Sequence, residues 1–535
     1  MRFDPFRYRY PSQRTLVYGS RGMVATSTPL AAQAGLRILT EGGNAVDAAV
    51  AAAAALTVTE PTSNGIGGDA FALLSFQGKL YGLNGSGPSP ALLTPAKFEK
   101  KEPAQIPAHG WLPVTVPGIP ATWAELVSRF GRLPLAHVLA PAAEYAEKGY
   151  PVSPVTARFW AKAADRFKET LKGSEYAPWF ELFTPGGKAP AAGETWSSSD
   201  MGATLRIIGD TGARAFYDGP LGEAIEQYAL KTGGLLRLSD LSAFKPEWVK
   251  PLFVEYGGKK VWELPPNGQG MATLLALNIL KELPETPFDS PQFVHHTLEA
   301  MKLAFSDCMA YTADPVFMPF SVETLLSRDY AACRARLIGE EALEPFPGNP
   351  PRSGTVYLAA ADGEGNMVSY IQSNYMGFGS GIVIPGTGIA LQNRGHGFTL
   401  EEGHPNTLAP GKRPYHTIIP GFLTETDNTP VGPFGVMGGF MQPQGHLQVV
   451  TSLLDGKLNP QEALDKPRWQ WIEGKKISCE AAFDPETLEN LQNRGHDMES
   501  APESFFGRGE IILRTKEGSL CGATDFRCDG AVAAW

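Results

Sequence analysis

The spacing of apolar and polar residues predicts two consecutive helices near the start of the chain, followed by a hairpin. The first helix begins at Thr28 and ends at Gly42, and Asn44 caps an alanine-rich second helix. Because alanine lets two backbones approach closely, we expect this second helix to pack flat on a sheet. Alternation over residues 71–76 and 80–83 predicts the hairpin.

The middle of the chain favours helices and ends in a proline-rich stretch. Helical spacing covers 123–171, 204–232, 271–283 and 292–310, strand-like alternation covers 253–264, and residues 178–198 read as irregular. Residues 340–352 combine acidic residues with prolines. This composition predicts an exposed linker and the main boundary in the chain.

The chain becomes strand-rich after this boundary. Residues 355–361 and 367–372 predict two strands joined by a Gly-rich turn, with further strands at 388–391 and 431–437. A helix is expected at 445–454. Thr355, which opens the first of these strands directly after Gly354, is by itself an ordinary strand threonine.

Composition narrows the class of protein. The chain has 535 residues, of which 43% are hydrophobic, and a net charge of −10, which argues against nucleic-acid or anionic-membrane binding and favours a small-molecule substrate. The N-terminus lacks the apolar core of a secretion signal, and the longest apolar run, residues 48–58, is shorter than a membrane span. We therefore expect a cytoplasmic protein that does not bind membranes.

Common cofactor and metal patterns are missing from the sequence. The Gly-rich loop at 60–69 lacks the Lys-Ser/Thr ending of a phosphate-binding loop, and no Gly-x-Ser-x-Gly elbow occurs. The nine histidines are scattered, and His295 and His296 are neighbours that point in different directions on a helix. The five cysteines have no metal-site spacing. The sequence predicts neither a cofactor nor a metal site.

Several blocks in the same order resemble the γ-glutamyltransferase (glutathione hydrolase) family of N-terminal-nucleophile enzymes. The blocks are Gly22-Met23-Val24, the run from Gly42 to Ala49, Glu60-Pro61 through Gly68, Pro265-Pro266, Gly381-Ile382, Lys412-Arg413-Pro414, Gly438-Gly439 and the run from Asp525 to Ala531. They extend over nearly the whole chain. The resemblance implies an α+β fold, the four-layer αββα sandwich of N-terminal-nucleophile hydrolases.

The resemblance also implies a precursor that cuts itself between Gly354 and Thr355. The products would be a large subunit, residues 1–354, and a small subunit, residues 355–535, forming one αββα core as a heterodimer, with further dimerisation left open. Thr355 would supply both the nucleophilic hydroxyl and, through its free α-amine, the base. Gly438 and Gly439 would form the oxyanion hole.

The same comparison assigns further residues to the site. Ser373 matches the hydroxyl that bonds the nucleophile, and Asn374 and Tyr375, which follow it, are expected to bind substrate. The paired serines of the family correspond here to His416 and Thr417, which are therefore expected to contact substrate.

Substrate recognition departs from the family pattern at two positions. No arginine occurs in residues 84–90, where the family places one for the α-carboxylate of the γ-glutamyl group. The family's aspartate for the α-ammonium group corresponds to Gly397. Arg394 and His396 lie nearby in sequence and could supply positive charge instead.

The leading hypothesis from the sequence is therefore a self-processing amidase or acyltransferase. It would cleave γ-glutamyl amides such as glutathione through a threonyl ester, with water or an amino acid or peptide as acceptor. Two alternatives stay open: an acylase for glutaryl-like or other acyl amides, resembling the cephalosporin-acylase branch, and an unprocessed, inactive binding homologue.

Overall fold

The computed structural model describes residues 14–98, 105–345 and 356–535. The α-helices in these residues are α1 Pro29–Thr40, α2 Ala45–Thr59, α3 Ile119–Phe130, α4 Leu135–Lys148, α5 Pro154–Thr170, α6 Ala177–Phe183, α7 Ser199–Thr211, α8 Arg214–Tyr217, α9 Pro220–Thr232, α10 Leu238–Ala243, α11 Gly270–Lys281, α12 Pro291–Tyr311, α13 Val322–Leu325, α14 Arg328–Ala335, α15 Met441–Leu454, α16 Pro460–Asp465 and α17 Pro485–Asn493. The strands are β1 Val17–Gly19, β2 Gly22–Thr26, β3 Asp69–Phe76, β4 Lys79–Gly85, β5 Tyr150–Pro151, β6 Thr195–Trp196, β7 Glu247–Val249, β8 Leu252–Tyr256, β9 Lys259–Glu263, β10 Val356–Asp362, β11 Met367–Ser373, β12 Val383–Ile384, β13 Ile389–Ala390, β14 Gly421–Thr424, β15 Pro430–Met437, β16 Trp469–Glu473, β17 Lys476–Cys479, β18 Asp497–Ser500, β19 Arg508–Arg514, β20 Leu520–Thr524 and β21 Ala531–Ala534.

Two antiparallel sheets of seven strands form the centre of the mixed α+β fold. The first has the order β21-β2-β10-β11-β3-β4-β7, and the second has the order β1-β20-β19-β15-β14-β9-β8. Strands from the start and the end of the chain pair in both sheets. Segments on either side of the predicted cleavage point therefore belong to the same sheets.

An apolar layer joins the two sheets, and strand β10 shows how. Tyr357, Ala359 and Ala361 belong to the cluster between the sheets, whereas Leu358 and Ala360 belong to the cluster under the helices. This alternation follows from the two-residue period of a strand. Because both faces are covered, every residue of β10 is buried.

The alanine-rich helix α2 packs against β10 and β11 as predicted, and every one of its residues is buried. Asn44 caps it: its side chain accepts hydrogen bonds from the N–H groups of Val46 and Asp47, and the Asp47 carboxylate accepts one from the Asn44 N–H at 3.0 Å. Helices α11 and α15 pack against strands of the second sheet. Within the described residues, no helix is long and apolar enough to cross a bilayer.

Three predictions about secondary structure need correction. Helix α15 begins at Met441 rather than Gly445, because that glycine lies within the helix, where an added Cβ would meet Val436 of β15 at 2.7 Å. The stretch 178–198 is not wholly irregular, since α6 occupies its start. The described part of the predicted linker is exposed only in part: residues 340, 341 and 344 are exposed, whereas Ala342 is buried and its N–H donates to the Arg494 carbonyl at 2.8 Å.

Candidate active site

The candidate site lies at the end of the first sheet where β10 begins. The predicted nucleophile Thr355 and its neighbour Gly354 lie outside the described residues, so the geometry starts at Val356. Val356 pairs with Gln372 across β10 and β11. The next residue, Ser373, therefore lies at the same end of the sheet as the start of β10.

Ser373 and the two residues after it form a buried turn. The Ser373 hydroxyl oxygen accepts a hydrogen bond from the Tyr375 N–H at 2.7 Å. Tyr375 has a φ of 77°, which is an unusual backbone conformation for a bulky residue. Such strained conformations cluster at functional sites. Asn374 is fully buried, and neither its amide oxygen nor its amide nitrogen has a hydrogen-bond partner among the described residues.

Arg394 is fully buried beside this turn. Its guanidinium carbon lies 4.2 Å from the centre of the Tyr375 ring, and Nη1 donates to the Thr417 hydroxyl at 2.7 Å. Its Nε and Nη2 atoms have no partner in the described parts of the chain. Burial lowers the pKa of Arg394 to about 10, so the side chain is still cationic at neutral pH. Two donors of a buried cation are thus available to an anion.

Asp69 and His416 form a second buried pair next to Arg394. His416 Nε2 donates to Asp69 Oδ2 at 3.1 Å, while His416 Nδ1 accepts from the Ile418 N–H at 3.3 Å. Burial and the charge of Arg394 hold the pKa of His416 far below its usual value. Burial raises the pKa of Asp69 to about 7, and Arg394 offsets part of that rise. His416 is therefore neutral and occupied at both nitrogens.

Gly438 and Gly439 form the turn between β15 and α15. Both have positive φ, 136° and 61°, so they adopt backbone conformations that L side chains rarely take. Their carbonyl groups accept hydrogen bonds within the turn. Neither of their N–H groups donates a hydrogen bond to another described residue, which leaves both donors for an oxyanion.

Gln269 connects the glycine turn to the Arg394 region. Its Nε2 donates to the Thr417 carbonyl at 2.6 Å and to the Gly439 carbonyl at 2.7 Å. Its Oε1 accepts from the Tyr415 hydroxyl at 3.0 Å. Sequence reasoning missed this residue, although the segment 265–270 that contains it stands out by its prolines and glycines.

The structure brings most of the sequence-predicted site residues together. Ser373, Asn374 and Tyr375 are consecutive, and Arg394 links Tyr375 to Thr417. His416 faces Asp69 instead of an open space. His396 is half-buried: its Nδ1 donates to the Ile106 carbonyl at 2.6 Å, and its ring centre lies 6.4 Å from that of Tyr375.

One buried group has the composition of a metal site, but hydrogen bonds account for it. His295, Glu299 and His496 offer ligand atoms within 4.8 Å of one another. His295 Nε2 bonds the Gly339 carbonyl, so its Nδ1 accepts from His496 Nε2 at 2.9 Å, and His496 Nδ1 accepts from Lys302 Nζ at 3.3 Å. Lys302 also pairs with Glu299 at 2.7 Å. A lysine therefore fills the position that a cation would take.

Comparison with known proteins identifies the family. The family model described as gamma-glutamyltranspeptidase matches residues 31–535. The chain belongs to the gamma-glutamyltranspeptidase family. This confirms the resemblance expected from the sequence blocks.

Relatives within this family carry different names. A glutathione hydrolase-like YwrD proenzyme from Bacillus subtilis is 38% identical, covering 96% of this chain and 98% of that protein. An oxamate amidohydrolase proenzyme from Klebsiella pneumoniae is 35% identical, covering 96% and 99%. The crystal structure of a cephalosporin acylase from Bacillus halodurans is 55% identical, with a TM-score of 0.97 and coverage of 100% and 99%. The names of these three relatives thus point to different substrates.

Proposed function

We propose that this member of the gamma-glutamyltranspeptidase family cuts itself between Gly354 and Thr355 and then hydrolyses amides through an ester on Thr355. The large subunit would comprise residues 1–354 and the small subunit residues 355–535. The sheets include strands from both parts, which supports a product that stays together after cleavage. Helices against each of the two facing sheets support the αββα sandwich of N-terminal-nucleophile hydrolases.

The proposed reaction uses groups on both sides of the site. In the precursor, the Thr355 hydroxyl attacks the Gly354 carbonyl carbon and the peptide C–N bond breaks, which leaves an ester on Oγ and frees the α-amine. Water then hydrolyses this ester and releases the Gly354 carboxylate and the Thr355 hydroxyl. In the enzyme, the α-amine takes the hydroxyl proton while Oγ bonds to the substrate carbonyl carbon. The N–H groups of Gly438 and Gly439 hold the oxyanion; loss of one such donor costs on the order of 3 kcal/mol in other enzymes.

The second half of the reaction releases the two products. The amine leaves with the proton held by the Thr355 α-amine as the amide C–N bond breaks. Water, or an acceptor amine, then attacks the ester carbonyl, so that the bond to Oγ breaks, the acyl group leaves as a carboxylic acid or a new amide, and the Thr355 hydroxyl is regenerated.

The observation that carries the substrate assignment is the buried Arg394, two of whose donors have no partner within the described residues. A buried cation in this state favours a carboxylate on the acyl group, and a guanidinium can hold one through two hydrogen bonds. The carboxylate that acts on Arg394 is Asp69, whose oxygens already accept from Gln392, Gly87 and His416. It is therefore not free to bind an α-ammonium group. We propose an acyl group that carries a carboxylate but no α-amine, as in glutaryl or oxalyl amides.

The second candidate is the γ-glutamyl amide that the sequence favoured. The relative called glutathione hydrolase-like, at 38% identity over 96% of this chain, supports it. Against it stand Gly397 at the position of the family aspartate and the absence of arginine in residues 84–90. The third reading, an unprocessed binding homologue, requires that the chain stay intact.

A denaturing gel with N-terminal sequencing tests self-processing. We expect two bands, the smaller beginning at Thr355, and a single intact band for Thr355→Ala. We also expect Thr355→Ala to lose all amide hydrolysis. An intact parent chain without activity would favour the binding homologue, and normal cleavage or hydrolysis by Thr355→Ala would contradict the role of Thr355.

Matched anilides test the acyl group. Glutaryl anilide and γ-glutamyl anilide differ by the α-amine, and butyryl anilide removes the carboxylate as well. We expect kcat/KM to fall in the order glutaryl, γ-glutamyl, butyryl. A clear preference for γ-glutamyl anilide would replace the proposal with the second candidate.

A further inference from the structure

A second recognition region lies beside the glycine turn. A cavity of about 350 Å³ is lined by 18 described residues, including Gly438 and Met376. Arg394 is not part of its lining. The cavity is therefore distinct from the buried acyl region but opens next to the proposed oxyanion donors.

The charge of this cavity is opposite to that of the protein. Its lining contains Lys162, Arg166 and Arg508, and none of its 18 described lining residues is Asp or Glu, whereas the whole chain has a net charge of −10. An anionic ligand is therefore attracted to this cationic pocket more strongly than to the rest of the acidic protein surface.

The three cations differ in how they are used. Arg508 pairs with Glu60 at 2.9 Å, so its charge is already balanced. Lys162 and Arg166, on the exposed side of α5, form no ion pair with any described residue. Arg166 reaches the turn after Tyr375, since a Cβ added at Gly377 would lie 3.4 Å from its Nη2. Two unbalanced positive charges therefore face the cavity.

The rest of the lining is strongly aromatic. Phe159, Phe440, Trp471 and Phe505 line the cavity, and the guanidinium of Arg508 lies 5.4 Å from the centre of the Phe159 ring. Aromatic walls bind flat apolar groups through large contact areas and offset stacking. A flat ligand that carries a carboxylate would satisfy both the walls and the charges.

We propose that this cavity binds the amine part of the substrate, the leaving group, and selects amines that carry a carboxylate on a planar apolar body. Lys162 and Arg166 are the specificity-determining residues. The inference rests on the proposed amidase function and extends it, because it places one carboxylate on each side of the scissile amide. Arg394 recognises the acyl carboxylate, and α5 recognises the carboxylate of the leaving amine.

Two matched substrates test this assignment: glutaryl anilide and its 3-carboxy counterpart, the glutaryl amide of 3-aminobenzoate. We expect the parent enzyme to prefer the carboxylated amide through a lower KM. Arg166→Gln and Lys162→Gln should each lower kcat/KM for that amide by roughly 3- to 10-fold, as expected for a charged hydrogen bond at a partly exposed site. The neutral anilide should change by less than about 2-fold.

Lys168→Gln is the matched control, because Lys168 is an exposed lysine on the same helix and outside the cavity lining. It should leave both substrates unchanged. Equal cleavage of the two amides by the parent enzyme, or equal losses on both in Arg166→Gln, would overturn the inference while leaving the amidase function intact.

A binding measurement separates this inference from the proposed function. Calorimetric titration of the parent protein with 3-aminobenzoate, and with aniline as reference, requires no turnover. We expect 3-aminobenzoate to bind more tightly than aniline, and Arg166→Gln to reduce the difference. If no amide is cleaved but this difference is seen, the amidase proposal fails and the cavity assignment stands; if the two amines bind alike, the cavity assignment fails.

Discussion

Two clusters of buried charged side chains differ in how completely their polar atoms are bonded. In the closed cluster, defined as His295, Glu299, Lys302 and His496, every ring nitrogen and the lysine have a hydrogen-bond partner. In the open cluster, defined as Arg394, Asn374 and Gln392, five polar atoms have no partner among the described residues: two on Arg394, two on Asn374 and one on Gln392.

The difference separates a structural role from a binding role. Buried polar groups are almost always hydrogen-bonded, so a set of unbonded ones in one place needs an explanation. A substrate that supplies the missing partners is such an explanation for the open cluster. The closed cluster has no capacity left for a ligand, and it instead joins α12 to residues 339–343, because Leu343 contributes its N–H to Glu299 and its carbonyl to Lys302.

The largest expected effect is on the open cluster. Arg394→Gln should lower kcat/KM for glutaryl anilide by about 100-fold or more, because a buried charged contact to the substrate is worth roughly 2–5 kcal/mol. Butyryl anilide, which lacks the carboxylate, should lose far less. The midpoint of urea unfolding should change little, because Arg394 makes one side-chain hydrogen bond within the described residues.

Steady-state kinetics with both anilides, together with urea unfolding, check this prediction. A similar loss on both substrates would mean that Arg394 shapes the site without binding the acyl carboxylate. A large drop in the unfolding midpoint would place Arg394 with the structural residues and remove the contrast between the clusters.

The opposite pattern is expected for the closed cluster. Lys302→Met leaves the fully buried Glu299 carboxylate without its cation, which typically costs 3–5 kcal/mol of unfolding free energy. The double variant Glu299→Gln/Lys302→Met removes both charges and should recover part of that loss. Both variants should keep the parent kcat/KM per folded molecule.

Urea unfolding in the Thr355→Ala background keeps the protein as one chain and makes the comparison simple. Active-site titration of the processed proteins then gives the activity per folded molecule. Equal unfolding midpoints for parent and Lys302→Met would show that the cluster contributes little to stability.

Much of the fold was predictable from local patterns. The structure confirms the capped alanine-rich helix after Asn44 and the hairpin formed by β10 and β11. Both were predictable because capping and two-residue alternation depend on only a few neighbouring residues. The predicted start of α15 is wrong, since Gly445 does not begin the helix but packs inside it against Val436. Close packing between distant segments leaves no local signal.

The site was predictable only in part for the same reason. Gly438 and Gly439 stand in a family block, and the structure gives them positive φ and N–H groups that donate to no other described residue. The sequence indicates Arg394 as a nearby cation, but its burial, and the two donors that lack a partner in the described part of the chain, depend on segments far apart in sequence. Gln269 was missed because its role consists of hydrogen bonds to residues about 150 or more positions away.

The smallest expected effect concerns how the closed cluster responds to pH. Burial lowers the pKa of His295 to about 4 and that of His496 to about 2, and the charges of Lys302 and Arg494 add to both shifts. Glu299 also faces the cluster, and burial raises its pKa. In the unfolded chain, histidine has a pKa of about 6.5. Below that pH the unfolded chain binds protons that the folded chain does not, so the histidine contribution is complete above about pH 6.5.

That contribution should fall as the pH drops from about 6.5 through about 4, toward the folded pKa values. His496→Gln keeps a donor toward His295 but removes the titrating ring, so its unfolding midpoint should fall less steeply over this range than that of the parent. Unfolding midpoints measured at half-unit steps of pH test this prediction. Parallel curves for parent and His496→Gln would mean that His496 takes up its proton in the folded protein as readily as in the unfolded chain. The neutral hydrogen-bond chain that defines the closed cluster would then be wrong.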